Sequence, residues 1–319
     1  MNDECLQASA NSSLIVHPRR RTGSSLNTML KALLTLTRPA NLVTAIADVL
    51  AGMAIAGYFL DSNPAPAPVG WLCLATVGLY GGGVVFNDFF DAELDAVERP
   101  ERPIPSGVVS KPAAAGLGAT LLLVGIGASF AVNATAGLLA AGIAAASLIY
   151  DRFGKHHAVL GPLNMGLCRG LNLLLGVSIL PDQVGLWVWV GLVPIAYIAA
   201  ITMISRGEVH GGRAGTLRAA GLLYALVIGC VAALAQRRQQ LGTALPFLLL
   251  FGYYIFPPLW RAVREPIGRN IGGAVRAGVL SLIVMNAAWV AAFANFPLAM
   301  LVFCLLPLSR LLARVFAVT

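Results

Sequence analysis

Charge is scarce in this sequence. Only 11% of its 319 residues are charged and 58% are hydrophobic, and with a mean hydropathy of +0.78 an ordinary soluble domain is excluded. Sustained apolar-polar alternation is missing as well, which rules out β-barrel spans. Cys5, Cys73, Cys168, Cys230 and Cys304 show no paired spacing, so they supply neither a disulfide framework nor a zinc site. His156 and His157 have no metal-ligand partner at readable spacing. The first 25 residues carry no long apolar segment, which argues against a cleaved signal peptide. Residues 1–35 are expected to form a disordered, basic, cytoplasmic tail.

What is present is a succession of apolar stretches near 40–60, 69–87, 113–131, 134–150, 158–180, 185–204, 217–235, 244–260, 272–294 and 296–315. At ~20 residues per helical span, nine spans with a terminal extension or ten spans both fit. The expected fold is all-α: a polytopic transmembrane helical bundle of nine or ten spans, with residues 36–319 as a single domain. The net charge of +8 does not point to nucleic acid, because its distribution is topological. With the N-terminus inside, the outer loops hold only Arg237 and Arg238, and the remaining basic residues flank the inner ends as the positive-inside rule requires. This places residues 87–110 on the cytoplasmic side of the cytoplasmic membrane.

At the end of the second apolar stretch stands Asn87-Asp88-Phe89-Phe90-Asp91-Ala92-Glu93-Leu94-Asp95, followed by Arg102-Pro103-Ile104-Pro105-Ser106-Gly107. On a helix turning ~100° per residue, Asn87, Asp88, Asp91 and Asp95 fall within one ~100° arc and Glu93 points elsewhere. Clustered carboxylates repel one another unless a cation neutralises them. A hard ion such as Mg²⁺ takes oxygen ligands and keeps positions open for substrate phosphate. Asp88, Asp91 and Asp95 are therefore the candidate metal ligands and catalytic residues of a diphosphate site. Arg99, Arg102 and the Pro-x-Pro-Ser-Gly turn add cations and backbone amides beside them.

These residues resemble the UbiA superfamily of intramembrane prenyltransferases, whose first signature reads Asn-Asp-x-x-Asp-x-x-x-Asp followed by Arg-Pro-x-Pro-Ser-Gly. The resemblance extends to Arg38-Pro39-Ala40-Asn41 and, more loosely, to Tyr150 through Lys155. It implies a central cavity between two similar halves, Mg²⁺ as cofactor, and a prenyl diphosphate donor whose apolar chain lies within the membrane. The group is then transferred to a small acceptor. It further implies that Asn87 orients the metal-diphosphate complex and that Arg102 and Lys155 neutralise diphosphate charge.

Polar groups inside apolar spans are costly and usually face a cavity or a partner helix. Asn41 and Asp48 share one face of the first span and are candidates for the acceptor side of the cavity, with pairing to a cation the alternative for Asp48. Asn164, Arg169 and Asn172 share a ~140° arc of the fifth span. Arg169 is a candidate for a diphosphate or a substrate carboxylate, and pairing with Asp48 or Asp151 is its alternative.

One departure matters. The family's second signature supplies further aspartates four residues apart, whereas this chain reads Ser205-Arg206-Gly207-Glu208-Val209-His210-Gly211-Gly212-Arg213. Glu208 is the single carboxylate there, and Arg206 and Arg213 are candidate bidentate clamps on the diphosphate. The intact first motif favours a Mg²⁺-dependent prenyltransferase. The eroded second motif favours the alternative, a catalytically reduced relative that binds or carries an isoprenoid or another amphiphile.

Overall fold

The computed structural model describes residues 26–61, 63–154, 157, 159–208 and 211–316. The stretch 1–25, most of the expected tail, lies outside them. Fourteen α-helices and no strand occur among the described residues. In the first half these are α1 (Leu26–Leu36), α2 (Pro39–Ala56), α3 (Pro66–Phe90), α4 (Ala92–Glu98), α5 (Lys111–Phe130), α6 (Ala134–Ile149) and α7 (Leu160–Val177). In the second they are α8 (Pro181–Trp187), α9 (Leu192–Ser205), α10 (Ala214–Arg237), α11 (Leu241–Arg264), α12 (Gly268–Phe293), α13 (Phe296–Phe303) and α14 (Leu305–Val315).

Local chemistry sets many of these boundaries. Proline occupies the first turn of α2, α3, α5, α8 and α13, where its missing N–H costs no helical bond. The Asn133 side chain accepts from the Ala136 N–H at 2.8 Å to cap α6, and Asn295 accepts from Leu298 at 2.9 Å to cap α13. Gly57 ends α2 at φ 86°, a left-handed conformation that glycine adopts without a Cβ penalty.

Nine helical segments among the described residues are long and apolar enough to cross a membrane, and the protein is an integral membrane protein. α7, 18 residues long, is not among the nine, because Asn164, Arg169 and Asn172 dilute its apolar content. Its place is inside the bundle, packed against α2, α6 and α9. α2 and α12 are the central spans, each with 78% of its apolar window buried, against 28% for α10 and α11. The outer helices present large apolar side chains such as Leu123, Leu222, Leu249 and Tyr253 to the exterior, as lipid contact requires.

Small residues let the central helices touch. A methyl group on Gly52 of α2 would run into the Leu173 carbonyl of α7, and one on Gly176 of α7 would run into the Val49 carbonyl of α2. This close approach brings Arg169 and Asn172 of α7 within hydrogen-bonding reach of α2.

Candidate active site

The acidic segment keeps its helical phase across the junction of α3 and α4. The Asp91 N–H donates to the Asn87 carbonyl at 3.0 Å, Asp95 to Asp91 at 2.8 Å, and Arg99 to Asp95 at 2.8 Å. The four polar residues therefore stay on one side, while Glu93 turns out to meet Lys111 at 3.3 Å on the surface.

Asp88 and Asp95 are buried and held by arginines. Asp88 Oδ1 accepts from Arg38 Nη2 at 2.9 Å and from Arg102 Nη1 at 3.2 Å, and Asp95 Oδ2 accepts from Arg102 Nη1 at 2.8 Å. Asn87 Nδ2 donates to Asp151 Oδ1 at 3.0 Å, which joins the acidic segment to the turn after α6. No three carboxylate, histidine or cysteine side chains converge on one point among the described residues.

Apart from Asp88, which lies behind its arginines, these groups stand at the mouth of a cavity of about 500 Å³. Arg38, Asn87, Asp91, Asp95, Arg99, Arg102, Asp151 and Glu208 line the mouth, and Leu79, Ile143, Met165, Ile198, Ile201 and Leu282 are among its apolar walls. Asn41, Tyr80, Tyr150, Arg169 and Asn172 also reach it.

Arg169 is the visible end of a buried polar network. Its Nη1 pairs with Asp48 Oδ2 and its Nη2 with Thr44 Oγ1. Asp48 Oδ1 accepts from Asn286 Nδ2 of α12 at 2.6 Å. Asn172 Nδ2 reaches Asp48 at 3.3 Å and the Ala45 carbonyl at 3.0 Å, while its Oδ1 accepts from Thr76 Oγ1 at 2.6 Å. Four helices, α2, α3, α7 and α12, are tied at one point. Asp48 thus stands behind Arg169 as its counter-ion and does not line the cavity itself. The Arg169 guanidinium lies 5.2 Å from the Tyr80 ring centroid, a cation-π distance.

The sequence profile of the UbiA prenyltransferase family matches residues 49–214, just over half of the chain, including the acidic segment. The chain belongs to the UbiA prenyltransferase family. Among curated relatives, digeranylgeranylglyceryl phosphate synthase of Methanopyrus kandleri is 35% identical over 47% of this chain and 54% of its own length. The same enzyme of Methanothrix thermoacetophila is 37% identical over 45% of this chain and 53% of its own length. The chain thus spans about half the length of these relatives. The fold is that of solved UbiA homologues. The apo homologue from Aeropyrum pernix K1 superposes with a TM-score of 0.64 at 17% identity, covering 77% of this chain and 96% of that one. The Archaeoglobus fulgidus homologue bound to GPP and Mg²⁺ gives 0.57 at 13% identity, covering 83% and 99%.

Against this UbiA frame, the remaining candidates separate. Glu208 faces the cavity, half buried, and burial raises its carboxyl above the usual 4.5 although Arg99 and Arg276 oppose the shift. Arg206 and Arg213 do not line the cavity. They line a groove on the other side of α9, because residues 205 and 208 share one helical side and residue 206 points away from it. Asn164 turns to the end of α6. With its amide nitrogen toward the Ala146 carbonyl (3.3 Å), its oxygen accepts from the Tyr150 N–H at 3.2 Å. Lys155, with His156 and His210, lies outside the described residues. Arg38, Asp151, Tyr80 and Tyr150 are mouth or wall residues that motif reading did not assign. Arg38 carried a signal in the Arg-Pro-Ala-Asn run, and Tyr150 and Asp151 a looser one in the run from Tyr150 to Lys155; Tyr80 carried none.

Proposed function

We propose that this chain transfers a prenyl group from an allylic prenyl diphosphate to a small acceptor within the membrane, with Mg²⁺ as the required ion. One observation carries the reading: a mouth of carboxylates and arginines opens into an apolar cavity. Such a cavity suits a donor with a charged head and an isoprenoid tail.

The residues at the first acidic segment fit Mg²⁺. They offer hard carboxylate oxygens, and Mg²⁺ is usually held by one or two carboxylates plus substrate phosphates and water. Asp91 and Asp95 stand at the mouth in that capacity, and Asp88 is the third oxygen donor of the segment. An ion held there would neutralise diphosphate charge and so make the diphosphate a better leaving group. Arg99 and Arg102 neutralise the remaining phosphate charge as guanidinium donors. Arg38 and Arg102 fix the Asp88 and Asp95 carboxyl groups in place through their ion pairs.

Transfer breaks the bond between C1 of the prenyl chain and the diphosphate oxygen. The acceptor's nucleophilic atom bonds to C1 and loses its proton, and the diphosphate leaves with the electron pair. The walls from Leu79, Ile198 and Ile201 keep water from the electron-poor carbon. Tyr80 and Tyr150 also line the cavity, and the Tyr80 ring carries the Arg169 guanidinium against it. Arg169, Asn41 and Asn172 lie on the acceptor side. The names of the curated relatives support a glyceryl phosphate as the acceptor class.

The basic asymmetry of the loops supports a cytoplasmic membrane location with the mouth on the cytoplasmic side. A second reading, binding or carriage of an isoprenoid without turnover, is favoured by Glu208 standing as the single carboxylate of its segment. Incubation of purified protein with radiolabelled geranylgeranyl diphosphate, Mg²⁺ and glyceryl phosphates separates the two. An organic-extractable prenylated product supports transfer, and Mg²⁺-dependent retention of intact donor without product supports carriage.

A further inference from the structure

The groove bounded by α7, α9 and α10 serves no part of the proposed reaction. Its volume is about 770 Å³, within the ~300–1,000 Å³ of ligand pockets. Its walls are Pro162 and Leu163 of α7, Ile195, Ala199 and Met203 of α9, and Leu223 of α10, and at one end stand Arg206 and Arg213. No acidic side chain lines it among the described residues.

The fold fixes the Arg206 side chain and the backbone that carries Arg213. Arg206 Nη2 donates to the His157 carbonyl at 2.7 Å. The loop before Arg213 is pinned by the Gly212 N–H, which donates to the Pro266 carbonyl at 3.0 Å. Two guanidinium charges thus sit at the polar end of an apolar groove that runs along membrane spans. Apolar walls select a hydrocarbon chain, and the charges select the sign of the head attached to it.

We propose that this groove binds an anionic phospholipid, with Arg206 and Arg213 on its headgroup phosphate and an acyl chain along α9 and α10. The site is separated from the cavity by α9, whose Ile198, Ile201, Thr202 and Ser205 face the cavity and whose Ile195, Ala199 and Met203 face the groove. It does not depend on the prenyl-transfer reading.

The test is native mass spectrometry of the purified protein titrated with phosphatidylglycerol, with phosphatidylcholine of the same chains, and with inorganic phosphate. At ~1 kcal/mol per arginine, phosphatidylglycerol binding is expected to weaken roughly 30-fold in the double variant Arg206→Gln/Arg213→Gln. Phosphatidylcholine, whose choline offsets its phosphate charge, is expected to bind the parent more weakly and to lose less in the variant. Equal binding of the two lipids by the parent overturns the proposal, as does an unchanged phosphatidylglycerol affinity in the variant. Inorganic phosphate that displaces phosphatidylglycerol at equal concentration overturns it in favour of a free-anion site. Should the double variant not fold, Arg206→Lys/Arg213→Lys keeps the charge and is expected to keep the lipid preference. Asp91→Ala is expected to retain the preference whatever becomes of prenyl transfer.

Discussion

Arg38 and Asp88 lie fifty residues apart in the chain and meet at 2.9 Å at the mouth of the cavity. The contact is made from a strained backbone. Arg38 has φ 47° and ψ 67°, a left-handed conformation uncommon for a residue with a side chain, and it immediately precedes Pro39. Such outliers persist where the surrounding structure over-determines them, often at functional sites. Here the conformation starts α2 and delivers the guanidinium to Asp88. Arg38→Ala is expected to destabilise the protein by about 1–3 kcal/mol, less than the ~3–5 kcal/mol of a buried pair that loses its sole partner, because Arg102 remains. Arg38→Gly, which relieves the strain, is expected to be more stable than Arg38→Ala by about 1 kcal/mol. Chemical unfolding of the two variants measures the difference, and identical stabilities would contradict the strain.

The Asp48–Arg169 pair is a second long-range contact, made behind the cavity wall. Removing either partner leaves a buried charge, so Arg169→Met and Asp48→Leu alone are each expected to cost ~3–5 kcal/mol. The double variant is expected to recover part of that loss. A double-mutant cycle decides, and additive losses would show that the two do not act as a pair.

Gly52 and Gly70 provide a packing test. Gly52 meets the α7 backbone, whereas Gly70 has nothing within 4 Å of an added Cβ. Gly52→Ala is expected to lower stability by at least the ~1–3 kcal/mol typical of overpacking, and Gly70→Ala is expected to be neutral or slightly stabilising. Thermal unfolding in detergent checks both. A neutral Gly52→Ala would mean that α2 and α7 do not pack through their backbones.

For Glu208 the sign of the pH effect follows from burial. Its folded carboxyl titrates above the unfolded one, so the folded state binds more protons. The resulting penalty is absent below the unfolded pKa and grows as pH rises through the folded value. Glu208→Gln is therefore expected to raise the melting temperature relative to the parent at neutral pH in metal-free buffer and to leave it unchanged in acid. Melting curves at the two pH values check this; a gain of the same size at both would show that the carboxyl's charge is not its source.

Spans and the acidic face were legible in the sequence because hydropathy and helical phase are local. The phase of Asn87, Asp88, Asp91 and Asp95 survives the α3–α4 junction, and Glu93 does point away. Partners distant in the chain were not legible. Arg169 had two possible counter-ions, and the choice of Asp48 over Asp151 depends on the Gly52 and Gly176 approach of α2 to α7. Asn164 shares a helical arc with Arg169 yet turns to the backbone at the end of α6. The clamp role expected for Arg206 and Arg213 rested on nearness in sequence to Glu208, but Arg206 leaves α9 on its opposite side. The choice between nine and ten spans turned on the C-terminal stretch, which is apolar enough to cross a membrane, whereas the stretch read at 158–180 is α7, whose polar groups lower its hydropathy and are satisfied inside the bundle.

Mg²⁺-dependent release of pyrophosphate tests the central claim most directly. Purified protein is given geranyl, farnesyl and geranylgeranyl diphosphates with a mixed pool of acceptors, beside Asp91→Ala as control. The account predicts release from at least one donor, lost on chelation and lost in Asp91→Ala although that variant remains folded. Release that persists undiminished in folded Asp91→Ala would contradict the assignment of the acidic mouth as the reacting site.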